Sequence, residues 1–300
     1  MSQLQPEDRN YEAVPTTQNE GYQLRGLEIP TRATRQVSKE IREIRVEDGT
    51  AISYSVFDGA NPALVILHGL AGSSRKFIPT ARALSGRKVI LIDQRGHGRS
   101  TRVPAATSRA AFVGDVVRVI ETESSGQVDL VGQSMGAHTA MLVAAARPDL
   151  VRKLVVLEGN EGGGSEEEYA ALGDFFRSWD VPFATREEAR ASLGDGPLVE
   201  AWVSDLEERP GGFYPRFDPE VMVATIRAVA DPRWEEWERV VAPTLVIYAD
   251  GGMFTEEQKA RFISRGRSVT RVDLVGASHD AHLDAFEQWI DALTAFIVDR

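Results

Sequence analysis

From Ile41 onward, apolar positions first alternate with polar ones. Ile41, Ile44 and Val46 form one run, Asp48-Gly49 interrupts it, and Ile52, Tyr54 and Val56 resume it. An Asp-Gly pair between two such runs predicts a β-hairpin, because both residues tolerate the positive φ of a tight turn. The pattern then changes. Ala63 to Leu67, Val89 to Ile92, Val128 to Val131, Leu154 to Leu157, Leu245 to Tyr248 and the less pure Val269 to Val275 are short, nearly unbroken apolar runs. Runs of this kind predict parallel strands buried on both faces. Helical stretches lie between them: Lys76 to Leu84, Ser108 to Glu123, Met135 to Ala146, Glu256 to Ser264 and Leu283 to Ile297.

A hairpin followed by repeated strand–helix units predicts an α/β fold, a mostly parallel sheet of roughly eight strands with helices on both faces. One interval breaks the rhythm. From Gly159 to about Val240 the chain has no buried-strand pattern, a glycine-rich start at Gly162 to Gly164, helical stretches and many aromatics, among them Phe175, Phe176, Trp179, Trp202 and Phe213. An insertion of this size between two strands of one sheet is expected to form a mainly helical lid over the strands' carboxyl ends. About half of its aromatics are assigned to the insertion's own core. Residues 1–40, polar and without a clear period, are expected to be an irregular arm. The chain therefore divides into an arm at 1–40, a core at 41–158 and 241–300, and a lid at 159–240.

Composition narrows the chemistry. The 300 residues are 42% hydrophobic and 26% charged, with a net charge of −11, which argues against a nucleic-acid partner. There is no cysteine, so disulfides, thiolate metal sites and a cysteine nucleophile are excluded together. No apolar run approaches the ~18 residues of a membrane span. Met1 to Asn10 has no apolar stretch of a secretory signal, so a cytoplasmic location is expected. The candidate proton carriers near neutral pH are His68, His97, His138, His279 and His282.

Gly132-Gln133-Ser134-Met135-Gly136 follows the Val128–Val131 run and opens the Met135–Ala146 helix. This is G-x-S-x-G in its strand–turn–helix context, where a sharp turn lifts the serine oxygen above the sheet at a helix amino terminus. Three further motifs follow apolar runs: His68-Gly69-Leu70-Ala71-Gly72, Asp93 to Ser100, and Gly276-Ala277-Ser278-His279. In this order the four motifs resemble the α/β-hydrolase fold family over residues 41–300. The resemblance implies Ser134 as nucleophile, His279 as its base, and the backbone N–H groups of Leu70 and Met135 as the oxyanion hole. It also puts Gly252 where the family usually carries the triad acid. Two candidates remain for that acid: Glu158, which ends the Leu154–Leu157 run 24 residues after Ser134, and Asp250. Spacing favours Glu158, because one helix and one adjacent parallel strand return it to the nucleophile's edge of the sheet.

His68, Gly69, Trp179 and Phe213 are expected beside the substrate, with His68 also bracing the oxyanion loop. His138, one turn past Ser134, is expected to be packed or solvated. No cofactor or metal is called for: His279, Asp280, His282 and Asp284 cluster in sequence, but the resemblance already employs His279. Gly96 and Gly98 lack the third glycine of a dinucleotide fingerprint. The expected activity is hydrolysis of an apolar or aromatic small-molecule ester or lactone through an acyl-enzyme, with no membrane partner. A homo-oligomer is left open. Two alternatives share the sequence: carbon–carbon bond hydrolysis next to a carbonyl, and a non-catalytic hydrolase-like binding protein, suggested by the unusual acid and by Ser278 where relatives often have glycine. Ser134 in place of an elbow aspartate disfavours dehalogenase or epoxide hydrolase chemistry.

Overall fold

The computed structural model describes residues 39–298. The arm expected over residues 1–40 lies outside them except for Lys39 and Glu40, which open the first strand. The first two strands, β1 (Lys39–Arg45) and β2 (Ala51–Phe57), pair antiparallel across the Asp48-Gly49 turn, where Gly49 has φ 81°. Alternating strands and helices follow: β3 (Gly59–Leu67), α1 (Ile78–Ala83), β4 (Gly86–Ile92), α2 (Arg109–Glu123), β5 (Val128–Gln133), α3 (Met135–Ala146) and β6 (Val151–Leu157).

Between β6 and the next sheet strand the chain builds a separate segment. It contains α4 (Glu166–Arg177), α5 (Arg186–Leu193), α6 (Pro197–Asp205), the short hairpin β7 (Glu207–Arg209) with β8 (Gly212–Tyr214), α7 (Pro219–Arg227) and α8 (Trp234–Arg239). The sequence pattern did not predict this hairpin; three residues per strand are too few to establish a period. The chain then returns to the sheet as β9 (Thr244–Gly251), α9 (Glu256–Arg265), β10 (Val269–Ser278), α10 (Ala281–Asp284) and α11 (Phe286–Ile297).

The eight sheet strands run in the order β1-β2-β4-β3-β5-β6-β9-β10. The first two pairs in that order give the sheet its mixed character: β1 and β2, and β2 and β4, are antiparallel, while every pair from β4 to β10 is parallel. The unbroken apolar runs have a direct cause. Val65 and Leu67 of β3 enter the cluster formed with α2, α3, α8 and α9, whereas Leu64 and Ile66 enter the opposite cluster formed with α1 and α11. Both faces are covered, so both sets of alternating positions must be apolar.

The inserted segment has a third core of its own, with Phe176, Trp179, Phe183, Val203, Phe217 and Met222 buried together. Two of its helices start on side-chain caps: at α4 Ser165 and Glu168 form a reciprocal capping box, and at α7 Asp218 accepts from the N–H groups of Glu220 and Val221. Among the described residues, no helix is long and apolar enough to cross a membrane.

Candidate active site

Ser134 occupies the turn between β5 and α3 with φ 56° and ψ −120°, a backbone conformation that costs about 1–3 kcal/mol for a residue with a side chain. The flanking glycines allow it. A Cβ at Gly132 would run into the backbone of Gly136 and Ala137, and one at Gly136 into the carbonyls of Leu67 and His68. The turn is held to the neighbouring strand by the bond from Ser134 N–H to Leu157 carbonyl, 2.9 Å.

The next strand end carries Glu158, also in the left-handed region at φ 48°. Its carboxylate is fully buried and accepts three hydrogen bonds. Oε1 accepts from Ala249 N–H at 2.7 Å; Oε2 accepts from Met253 N–H at 3.1 Å and from His279 Nδ1 at 3.0 Å. This contact fixes the proton of neutral His279 on Nδ1 and leaves Nε2 as the acceptor. Gln133, beside Ser134, donates Nε2–H to the His279 carbonyl at 3.2 Å and so ties the loop after β10 to the turn after β5. Ser134, Glu158 and His279 thus come from the ends of β5, β6 and β10.

Asp250 makes no hydrogen bond to His279. Its Oδ2 accepts from Gly276 N–H at 2.8 Å and its Oδ1 from Ala277 N–H at 3.1 Å and Gly251 N–H at 2.8 Å. These bonds, Gly276's foremost, hold its carboxyl below the ordinary aspartate range. Gly252 explains how Glu158 reaches its position: a Cβ at residue 252 would overlap both Glu158 carboxylate oxygens. The glutamate therefore fills the volume that a side chain from the β9 loop would need.

Ser134, His279, Glu158, Leu70 and Met135 border one cavity of about 610 Å³. That is ample for a small to medium organic molecule. Ser134 Oγ makes no hydrogen bond to His279 among the described residues; such contacts commonly tighten only when substrate is bound. Met135 is the first residue of α3, so its N–H belongs to the group that a helix leaves without an internal acceptor. Leu70 lies on the loop after β3, which is braced from below by His68. Gln94 N–H donates to His68 Nε2 at 3.0 Å, so His68 Nδ1–H donates to the Gly69 carbonyl at 2.7 Å. The Gln94 side chain also donates to the His68 carbonyl at 2.7 Å.

The positions expected beside substrate divide. Gly69 borders the cavity, whereas His68, Trp179 and Phe213 do not. His68 is fully buried under the loop, Trp179 packs among Phe176, Trp202 and Phe217, and Phe213 pairs with Phe183 and lies under the Arg186 guanidinium. The insertion instead contributes Tyr169, Leu172, Phe175, Phe176 and Trp202 to the cavity. Trp202 also donates its indole N–H to the Ala71 carbonyl at 3.0 Å, joining the insertion to the loop after β3. Lys76, which sequence reasoning passed over, borders the cavity as well. It lies 3.7 Å from Asp280 and over the Trp202 ring, and burial pushes its ammonium below the usual lysine range.

Burial distinguishes the histidines. It lowers His68 to about 4 and His97 to about 3, and holds His138 and His282 well below the ordinary histidine value of 6.5. All four are therefore neutral at pH 7. Because the unfolded chain binds these protons near pH 6.5 and the folded chain does not, stability should fall as pH drops below about 6.5 and continue falling toward about 4. Urea midpoints at about pH 7.5 and about pH 5.5 check this, since that window precedes most carboxylate titration. An unchanged midpoint would mean that these rings are not buried in the neutral form.

The family model for the alpha/beta hydrolase fold matches residues 62–286. The chain belongs to the alpha/beta hydrolase fold family. It is 38% identical over 271 residues to the sn-1-specific diacylglycerol lipase ABHD11 of Danio rerio, covering 85% of this chain and 84% of that one. Two solved alpha/beta hydrolases share the fold at lower identity. E-2-(acetamidomethylene)succinate hydrolase superimposes with a TM-score of 0.77 at 24% identity, covering 86% of this chain and 99% of that one. The enol-lactonase from Burkholderia xenovorans LB400 gives 0.71 at 22% identity, covering 86% and 100%. This alpha/beta hydrolase is accordingly a hydrolytic enzyme.

Proposed function

We propose that the protein is a serine hydrolase that cleaves a carboxylic ester or lactone of an apolar or aromatic small molecule through an acyl-enzyme. The observation that carries this reading is the 3.0 Å contact of His279 Nδ1 with the buried Glu158 carboxylate, on the same cavity as the strained Ser134. Serine is a weak nucleophile at neutral pH and needs an oriented base. His279 Nε2 takes the Ser134 proton as Oγ attacks the carbonyl, and Glu158 stabilises the imidazolium that forms. The Leu70 and Met135 N–H groups receive the oxyanion, each donor lowering the barrier by roughly 3–4 kcal/mol. His279 then protonates the leaving alkoxide, and water repeats the sequence to release the acid. The segment 159–240 acts as a lid whose α4 and α6 side chains supply much of the cavity's apolar lining. An ester-cleaving relative, the Danio rerio lipase, supports ester chemistry over other family reactions.

A fluorophosphonate should form a single covalent adduct on Ser134, located by peptide mass spectrometry. Aryl esters and lactones should turn over, and vinylogous diketones should not. Labelling with turnover only of the diketones would transfer the reading to carbon–carbon bond hydrolysis; absence of any adduct would leave a binding protein.

A further inference from the structure

Lys76 lies in the short helical turn Ser74–Phe77 that precedes α1, and only 8% of it is exposed. A buried ammonium has three donors to satisfy and ordinarily meets oxygen atoms at hydrogen-bond distance. Lys259, also buried, does so: its Nζ donates to the Ala249 carbonyl at 3.2 Å and lies 2.9 Å from Glu256 Oε1. Lys76 is placed differently. Its facing carboxylate oxygen, Asp280 Oδ1, is 3.7 Å away, too far for a hydrogen bond. The Trp202 ring lies 5.7 Å from the ammonium on another side. Asp205, whose charge also reaches Lys76, is paired with Arg75 at 3.2 Å and Arg216 at 3.6 Å.

The pair faces the catalytic cavity. Lys76 and Asp280 both border it, together with Gly69, Leu70 and His279. The enclosed polar atoms that lack a partner include neither Lys76 Nζ nor the Asp280 carboxylate, so both groups can be reached by a small molecule. Apolar side chains, among them Leu70, Phe175, Phe176 and Trp202, supply much of the remaining wall. An ammonium and a carboxylate held slightly too far apart to satisfy each other suit one kind of guest. A hydroxyl accepts from the first and donates to the second, both bonds being charge-assisted. A carboxylate would gain from Lys76 but be repelled by Asp280, and an alkyl group would leave both unmatched.

We propose that Lys76 and Asp280 form a polar subsite that receives a free hydroxyl on the alcohol half of the ester. The alcohol half is assigned because Asp280 directly follows His279, which protonates the departing alkoxide. The inference rests on the serine-hydrolase reading above for that orientation. It makes Lys76 and Asp280 specificity-determining residues and the preferred substrates partial esters of diols or polyols.

The test compares isosteric esters: 2-hydroxyethyl butyrate with propyl butyrate, and 4-hydroxybutyl butyrate with pentyl butyrate. The wild-type enzyme should favour the hydroxyl ester of at least one pair by ~10-fold in kcat/KM, the scale of one hydrogen bond to a charged group. Lys76→Met should abolish that preference, Lys76→Gln should keep part of it, and Asp280→Asn, whose amide oxygen still accepts, should reduce it about threefold. The ratio within each variant is the readout, because a purely structural ion pair would slow both esters alike. Independently of turnover, the favoured hydroxyl ester should raise the urea unfolding midpoint of Ser134→Ala protein more than its alkyl isostere does, and Lys76→Met should remove the difference. Equal wild-type rates within both pairs, or a ratio unmoved by Lys76→Met, would overturn the subsite. So would a preference confined to an acyl hydroxyl, seen as ethyl 3-hydroxybutyrate turning over faster than ethyl 3-methylbutyrate. Failure to hydrolyse any of these esters, with the midpoint difference intact, would overturn the serine-hydrolase reading and retain the subsite.

Discussion

Replacing Ser134 by alanine is expected to lower kcat by at least ~10⁴-fold and to abolish fluorophosphonate labelling, with the fold unchanged. The alcohol is the only atom removed, and it faces the cavity rather than the core. Glycine at the same position should do more than inactivate. Ser134 holds φ 56° and ψ −120°, so a residue without Cβ should raise stability by about 1 kcal/mol in urea unfolding. Residual ester turnover within about tenfold of wild type in purified Ser134→Ala protein would place the nucleophile elsewhere.

Glu158→Gln is expected to cost ~10²–10⁴-fold in kcat, whereas Asp250→Asn should change it by less than about threefold. The asymmetry follows from the hydrogen-bond inventory. Both Glu158 oxygens accept: Oε1 from Ala249 N–H, Oε2 from Met253 N–H and His279 Nδ1. An amide must turn its NH₂ toward one of these donors, so glutamine either repels the imidazole or leaves a buried N–H unpaired. The second option costs about 1–3 kcal/mol of stability as well. Asp250 instead receives the Gly276 and Ala277 N–H groups, a turn that asparagine preserves in part. Gly252→Ala should also impair kcat, because its methyl group would displace the carboxylate. Aspartate at 252 combined with Glu158→Gly should restore part of the lost rate if the two positions compete for one volume. Steady-state kinetics on one aryl ester compares all four proteins; equal losses in Glu158→Gln and Asp250→Asn would remove the distinction.

Much of this was legible in the chain itself. Val65, Val89 and Leu130 sit in runs that have no polar face, and only a sheet covered on both sides makes such runs favourable. The turn chemistry of Gly132 to Gly136 is equally local, since it depends on which residues can accept strained backbone beside a helix start. Order along a parallel sheet then carries His279 and Glu158 to the edge that holds Ser134. Other assignments needed the assembled molecule. Trp179 and Phe213 differ from Phe175 and Trp202 in nothing that sequence displays; which of them faces the cavity depends on how five short helices and a hairpin pack. Which of Glu158 and Asp250 touches His279 depends on the backbone N–H groups around each carboxylate and on the missing side chain at Gly252.

Sequence alone determined the α/β class and the strand–turn–helix setting of Ser134, because periodicity and turn strain are properties of neighbours along the chain; the choice of His279 among five histidines came from the family resemblance. Tertiary structure alone decided the hydrogen-bond partners of Glu158 and the cavity's aromatic lining. Those depend on which groups from distant segments share one desolvated space, where a hydrogen bond or a counter-charge is either supplied or missing.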